Sequence, residues 1–230
     1  MSQKINPISI RVGVFQLWNT NLPKYGKTFK CYTKFLRKQS KIITYLKHFL
    51  ENYNLLIENI SLCFNSCTVF INVFVTKPNT SKIFPKTNLL IKTIYYWLKI
   101  PVILTFYKKL SLTNSAFLIN NYVAYLVLQG ILPKKLLQVI YKMLKDQSMK
   151  VKLVQTTQGI NKVILKGFKL RLSGCFETSR SQMSKTIKCN FGLLPLTKLK
   201  GYVEYSNSII YTKFGSCGLK IWLFYELQTL

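Results

Sequence analysis

The side chains that could do chemistry in this sequence are almost all cationic. Lysine and arginine together number 34 against six aspartates and glutamates, so the formal net charge is +28. Such an excess destabilises a free globular protein through self-repulsion. It is tolerated when a polyanion compensates it, and nucleic acid is the usual one. The composition therefore predicts phosphate contacts with a nucleic acid.

The clearest pattern among these cations lies in the last third of the chain. Between residues 166 and 173, apolar residues alternate with Lys169 and Arg171, which is the period of a strand with one buried face. Further lysines fall on or beside strands predicted downstream. An ordinary solvated sheet face is the alternative reading, because basic strand faces also occur on plain protein surface. The residues that we assign to one phosphate-facing sheet surface are Lys169, Arg171, Lys198, Lys200, Lys213 and Lys220.

Enzymatic and metal chemistry have little support in the residue types. The chain has one histidine, His48, and neither paired carboxylates nor a phosphate-binding loop motif. Among the six cysteines only Cys63 and Cys67 lie close together. A structural zinc site needs two such pairs, or one pair with histidines. We therefore predict no enzyme activity, no metal, no other cofactor, and free thiols.

The kind of cation indicates the origin of the gene. Only four of the 34 basic residues are arginines. Arginine is normally preferred for gripping phosphate, because its planar fork matches the oxygens. Lysine, asparagine, isoleucine, tyrosine and phenylalanine share AT-rich codons, so base-composition drift explains the bias. The lysine excess indicates an organellar genome or an AT-rich endosymbiont.

Two apolar windows raise the question of membrane insertion. Residues 89–107 contain Lys92 and Lys99, and residues 116–132 contain several amides. A lysine near the middle of a bilayer costs about 2.5–3.5 kcal/mol. The N-terminus has neither a signal-peptide layout nor that of an imported mitochondrial precursor. We therefore expect no membrane insertion, and synthesis in the compartment where the protein works.

The periodicity places these residues on two α/β halves. The first half follows an opening arm and reads α–β–β–α–β, with a lysine- and proline-rich loop before its second helix. Its predicted elements are a helix over 32–54, strands over 55–63 and 67–75, a helix from 87 to 99 and a strand over 102–107.

The second half changes from helical to strand periodicity. It is predicted to have helices over 115–129 and 133–146, the second started by a proline at a position that tolerates it. Strands are predicted over 166–173, 197–205, 209–214 and 218–225. Two helices followed by an antiparallel sheet make an α+β domain.

Three ordered blocks resemble one known family, the universal small-subunit ribosomal protein three family. The C-terminal blocks are residues 167–174, which are followed by Glu177 and Arg180 of a Glu-x-x-Arg stretch, then 192–205 and 211–224. Between about 20 and 160 the resemblance rests on the order of the elements. The matching residues of the N-terminal block are Gln3, Lys4, Pro7, Arg11, Gly13 and Trp18.

This resemblance implies three regions: an N-terminal arm (1–31), a type II KH-like domain (32–108) and the α+β ribosomal domain (109–230). It also implies a place in the head of the small subunit on rRNA, beside proteins ten and fourteen. Proteins four and five would be neighbours at the messenger entry channel. Among the matched residues, Lys4, Arg11 and Arg180 are implied rRNA contacts. A plain solvated arm is the alternative for the first two.

One departure from the family concerns the KH-like domain. A functional KH domain carries a Gly-x-x-Gly loop, because side chains would block the close approach of its backbone to RNA. The equivalent loop, residues 77–86, contains no glycine. We therefore expect a degenerate KH fold that persists as a packing unit.

A second departure concerns the messenger channel. In the family, arginines and a lysine on the second helix of the C-terminal domain face incoming messenger RNA. That cluster aligns with residues 132–138, where Lys134 and Lys135 are the nearby charges. Lysine lacks the guanidinium fork, so attraction should survive while duplex unwinding weakens.

Rival interpretations stay open at this stage. An organellar RNA-processing or intron-binding protein would also be basic and α/β, but it would lack the N-terminal block. A membrane-surface protein would concentrate its cations on one amphipathic helix, whereas the lysines here are spread over nearly every element. We expect a mitochondrial, organelle-encoded protein, with a plastid as the alternative.

Overall fold

The α+β class is confirmed by a computed structural model, which has four helices and two sheets in the residues that it describes. The chain divides into two compact units: residues 19–112, here the first unit, and residues 1–18 together with 113–230, here the second unit. The predicted boundaries at 31 and 108 stay a prediction. The structure describes residues 5–18, 29–53, 55–65, 67–76, 84–109, 111, 113, 115–131, 133–148, 150–176, 183–199, 201–212 and 214–228, with the backbone alone at 29–31, 84–86 and 133–134.

The first unit has the predicted order of elements. These are α1 (Phe29–Glu51), β1 (Leu56–Phe64), β2 (Val69–Thr76), α2 (Phe84–Leu98) and β3 (Val102–Lys108). The strands lie in the order β1-β2-β3, and β1 pairs antiparallel with β2 through a short turn. Because β3 pairs parallel with β2, the chain needs a crossover between them, and α2 supplies it.

Both helices of this unit bury one stripe. Buried residues recur every fourth position, as expected for a helix with one face on a sheet. The stripes are Ile42, Leu46 and Leu50 on α1 and Leu90, Ile94 and Leu98 on α2. The KH-like character of this unit stays a prediction, because residues 77–83, where the glycine loop would lie, fall outside the described residues.

The second unit is built on a five-stranded sheet. Its helices are α3 (Ala116–Leu128) and α4 (Pro133–Asp146), and its strands are β4 (Val151–Thr156), β5 (Gly159–Gly174), β6 (Lys185–Gly192), β7 (Tyr202–Thr212) and β8 (Gly215–Leu227). The strands run in the order β4-β5-β8-β7, with β6 paired to β5, and every pairing is antiparallel. Buried residues of both helices share one core with one sheet face. The opposite face, here called the open face, is buried at Val203 and Phe224 and accessible around Arg171, Lys188 and Lys220.

Three strand predictions in this unit were wrong or incomplete. The strands predicted over 197–205 and 209–214 are one strand, β7, because the polar run between them is not a turn. Asn120 of α3 donates to Ser206 Oγ at 2.8 Å and accepts from Ser208 Oγ at 2.8 Å. These serines therefore face the helices and are satisfied there. Strands β4 and β6 were missed, and β5 begins seven residues before the predicted start at 166.

Glu204 fixes the start of α3 against the sheet. Its Oε2 accepts from the Ala116 N–H at 2.9 Å, and its Oε1 accepts from Lys152 Nζ at 2.5 Å. Ser115 caps the same helix by accepting from the Leu118 N–H at 3.2 Å. A carboxylate at a helix N-terminus also interacts favourably with the helix dipole.

Replacing Glu204 with glutamine is expected to lower the free energy of unfolding by about 1–2 kcal/mol, because the charge facing Lys152 and the helix dipole is lost. Glu226 provides a matched control, since it pairs with Lys198 at 3.2 Å with both side chains exposed. Glu226→Gln should change the unfolding free energy by less than about 0.5 kcal/mol. Urea unfolding measures both variants, and equal losses would contradict the assignment.

Within the part of the chain that the structure describes, no helix is long and apolar enough to cross a membrane.

Candidate nucleic-acid interface

The open face of the five-stranded sheet brings together predicted cations from separate strands. Arg171 on β5 lies directly opposite Lys220 on β8 and, on its other side, opposite Lys188 on β6. The three side chains therefore form one row across β6, β5 and β8, here called the cation row. At the strand spacing of an antiparallel sheet the row spans about 10 Å.

The next row toward the other end of the sheet is partly aromatic. The register places Asn190 opposite Lys169, Lys169 opposite Trp222, and Trp222 opposite Tyr205 on β7. The rings of Tyr205 and Trp222 are 5.4 Å apart between centroids, and Lys169 Nζ lies 5.9 Å from the centre of the Trp222 ring. We call this the aromatic row.

The two rows form the floor of a groove of about 300 Å³, whose lining also includes Ile5 of the arm and Leu196. The lining contains four cations and no carboxylate. Like charges placed directly opposite each other on neighbouring strands destabilise a sheet. This arrangement gains stability when an anion lies between the side chains, so the groove is suited to phosphate.

Burial also affects one phenol in this groove. It raises the pKa of Tyr205 above its ordinary value, because desolvation disfavours the charged phenolate. A tyrosine hydroxyl is protonated at neutral pH even at its ordinary pKa of about 10, so it can donate a hydrogen bond here. A neutral donor beside four cations adds to the affinity for an anion.

Arg11 occupies a different place from the one that its predicted role requires. The residue is fully buried. Its Nη1 donates to Pro7 O at 2.7 Å, and its Nη2 donates to the carbonyls of Pro195, Leu196 and Lys198 at 3.3, 2.9 and 2.6 Å.

This geometry corrects the prediction that Arg11 contacts rRNA, because a buried guanidinium shared among four carbonyls has no face for phosphate. Burial lowers its pKa, through desolvation. Its Nε has no hydrogen-bond partner among the described residues. Arg11 instead ties the N-terminal arm to segment 195–198, which carries Leu196 to the wall of the groove.

The other predicted contacts are scattered or lie outside the described residues. Lys198 is exposed and paired with Glu226, away from the cation row. Lys135 is exposed on the first turn of α4. The predicted residues that lie outside the description are Lys4, Arg180, Lys200 and Lys213, together with the side chain of Lys134.

Sequence reasoning missed one member of the cation row, Lys188. Its segment, K-T-I-K-C-N-F-G, alternates polar and apolar residues over 185–192. This period-two signal predicts a strand with Lys188 on the polar face. Tyr205 was also missed as a groove residue, because its place in the groove depends on the register between β7 and β8, which sets it opposite Trp222.

Among the described residues, Cys63, Cys189 and Cys217 are free thiols. Cys63 and Cys67 are exposed, and no group of three metal-ligating side chains occurs in the part of the chain that the structure describes. Burial raises the pKa of the Cys189 thiol, which disfavours its reactive thiolate form. The absence of a bound metal in the functional protein stays a prediction.

Comparison with known proteins identifies the family. No family model matches the sequence. The small ribosomal subunit protein uS3m of Chondrus crispus is 34% identical over 229 residues, which cover 98% of this chain and 94% of that protein. This chain belongs to the uS3 family of small ribosomal subunit proteins. The uS3 protein of Treponema pallidum (23% identity, 97% of this chain, 83% of that protein) and uS3c of Guillardia theta (23%, 100% and 97%) are similar along nearly the same length.

Membership in the uS3 family confirms the family resemblance and decides the class of protein. The chain is a structural constituent of the small ribosomal subunit that serves translation, and it is not an enzyme. The similarity to uS3m, with uS3c among the relatives, places it in an organelle. Neither an organellar RNA-processing or intron-binding protein nor a membrane-surface protein fits this family.

Proposed function

We propose that this uS3 protein binds rRNA in the head of a mitochondrial small ribosomal subunit, through the open sheet face of its second unit. The observation that carries the proposal is the cation row, in which Lys188, Arg171 and Lys220 face one another across three strands. Within the described residues none of the three pairs with a carboxylate. A phosphate backbone supplies the missing negative charge.

The acids of the second unit that the structure describes, Asp146, Glu204 and Glu226, support this assignment, because none of them lines the groove. Glu204 pairs with Lys152 and accepts a hydrogen bond from the N-terminus of α3, and Glu226 pairs with Lys198. The positive charge of the open face can therefore be compensated by an external polyanion. For a protein of the small ribosomal subunit, that polyanion is rRNA.

Assembly into the subunit tests this function. A tagged full-length chain, expressed in mitochondria of its source organism, should co-sediment with the small subunit. Ultraviolet crosslinking should join peptides of 166–174 and 216–223 to the rRNA of its head, and proteins ten and fourteen should be crosslinked neighbours. Sedimentation free of ribosomal particles would contradict the proposal. Co-sedimentation with plastid rather than mitochondrial subunits would change only the organelle.

A second site concerns messenger RNA. We propose that Lys134 and Lys135, at the start of α4, face the messenger entry channel near proteins four and five. Lys135 is exposed, whereas the next two residues, Leu136 and Leu137, are buried in the core and fix the register of the helix. Lysine attracts a phosphate backbone without the fixed geometry of a guanidinium fork.

Replacing Lys134 and Lys135 with alanine is expected to leave incorporation into the subunit unchanged and to slow translation of unstructured messengers by less than about twofold. Removing an exposed cation costs little stability, and only a long-range attraction is lost. Sedimentation and an organellar translation assay measure the two effects. Loss of incorporation would instead make these lysines rRNA anchors, and the channel assignment would be wrong.

A further inference from the structure

The two rows of the open face differ in the chemistry that they offer. The cation row consists of Lys188, Arg171 and Lys220, which are suited to phosphate oxygens. The aromatic row lies two residues further along each strand and offers the rings of Tyr205 and Trp222. At about 3.4 Å per residue the rows are about 7 Å apart. A phosphate site and a ring site therefore lie side by side.

The two rings are not equally available. Trp222 is 7% exposed, and Lys169 Nζ lies over its ring. Tyr205 is half-buried on β7, which is an edge strand of the sheet, and its ring lines the groove. A planar ligand entering the groove therefore meets Tyr205, while Trp222 packs against that ring from the neighbouring strand.

The walls of the groove decide between paired and unpaired RNA. Ile5 and Leu196 line the groove above its floor, and Arg11 holds the Leu196 segment by three carbonyl hydrogen bonds. A duplex presents its backbone, with its base faces stacked inside, so it could use the cations but not the ring. A single strand presents phosphate and base together, and bases stack on aromatic side chains irrespective of sequence.

We propose that this groove binds one unpaired nucleotide of RNA, with its phosphate at the cation row and its base against Tyr205. The proposal rests on the function proposed above, since it names the part of the rRNA that the open face recognises. The expected partner is a bulged or looped nucleotide rather than a continuous helix.

Three RNA probes with the same number of phosphates separate the contributions to binding: an oligouridylate, its abasic counterpart and a short duplex. Full-length protein should bind the oligouridylate roughly tenfold more tightly than the abasic strand, because stacking of one base is worth about that much. The duplex should resemble the abasic strand. Because the oligouridylate and its abasic counterpart have the same charge and the same backbone, a difference between these two strands does not come from the cations alone.

Variants at Tyr205 assign this difference to one ring. Tyr205→Leu should remove the preference for the oligouridylate over the abasic strand, whereas Tyr205→Phe should retain it, because it keeps the ring. Tyr211 is a matched control, since it lies on the same face of β7 and is 75% exposed. Tyr211→Leu should leave the preference unchanged. Circular dichroism checks that each variant is folded.

The outcomes distinguish this inference from the proposed function. If all three probes bind the wild-type protein equally and with strong salt dependence, the face recognises phosphates alone, and only the inference is overturned. If no probe binds, the inference and the RNA-binding function fail together. A preference that survives in Tyr205→Leu would also overturn the inference, because the base would then lie elsewhere. If Tyr205→Leu does not fold, equal binding of the three probes by the wild-type protein would still overturn the inference.

Discussion

Replacing Arg11 with leucine is expected to lower the free energy of unfolding of the second unit by about 3 kcal/mol. The guanidinium donates to four carbonyls, those of Pro7, Pro195, Leu196 and Lys198. A buried carbonyl left without a donor costs about 1–3 kcal/mol, and the cost is smaller for the three part-buried hydrogen bonds to segment 195–198. Relief of the desolvation of a buried charge offsets part of this sum. The loss should therefore be large for a single substitution, and it should be local to the groove wall.

Hydrogen exchange resolved by peptide measures this effect where it arises. Residues 193–199 should exchange much faster in Arg11→Leu, because their anchor to the arm is gone. Arg11→Lys keeps the charge but lacks the planar fork, so it should lie between leucine and wild type. Lys142→Leu is the matched control, since Lys142 is exposed on α4 of the same unit. That control should change the unfolding free energy by less than about 0.5 kcal/mol.

The loss of unfolding free energy in Arg11→Leu should not depend on pH in the neutral range. Burial lowers the pKa of this guanidinium relative to the unfolded chain. When a basic group has a lower pKa in the folded protein than in the unfolded chain, the protein becomes more stable only as the pH rises toward the folded pKa and the group loses its proton. Arginine remains charged throughout the neutral range, so Arg11→Leu should show the same deficit at pH 6 and at pH 8. A wild-type protein no more stable than Arg11→Leu would contradict the structural role.

Replacing Arg171, Lys188 and Lys220 together with glutamine is expected to weaken binding of full-length protein to rRNA fragments by more than tenfold. Each phosphate contact contributes about 0.7 to the slope of log affinity against log salt for a single strand. Removing three contacts should therefore lower the magnitude of that slope by about 2. Titrations between about 50 and 200 mM salt measure both the affinity and the slope.

This triple variant should bind RNA more weakly without becoming less stable. The three cations face one another across β6, β5 and β8, so replacing them removes like-charge repulsion. The unfolding free energy should stay constant or rise.

A second triple variant, Lys142→Gln with Lys145→Gln and Lys150→Gln, removes the same net charge from exposed positions outside the groove. For this variant, the slope of log affinity against log salt should stay close to that of the wild-type protein. Equal weakening of both triple variants would mean that net charge rather than the cation row governs binding.

Helix positions and core residues could be predicted because their signals are local. The four-residue spacing of Ile42, Leu46 and Leu50 places α1 within three residues of its observed ends. Strand β7 shows where local signals mislead, since the serines at 206 and 208 resemble turn residues. Their partner, Asn120, is more than 80 residues away in the chain. A polar residue cannot be assigned to a turn or to a buried network without that partner.

The sequence by itself determined the excess of cations, the α+β class and the resemblance to the uS3 family, because composition, periodicity and ordered motifs need no knowledge of distant contacts. Tertiary structure alone decided which cations act together. Strand register sets Lys188 and Lys220 on either side of Arg171, and a one-residue shift would turn them toward the core. It also decided the role of Arg11, whose acceptors at Pro195, Leu196 and Lys198 are 184 to 187 residues distant. An arginine in a basic arm is solvated or buried according to what folds over it, and that is a property of the whole second unit.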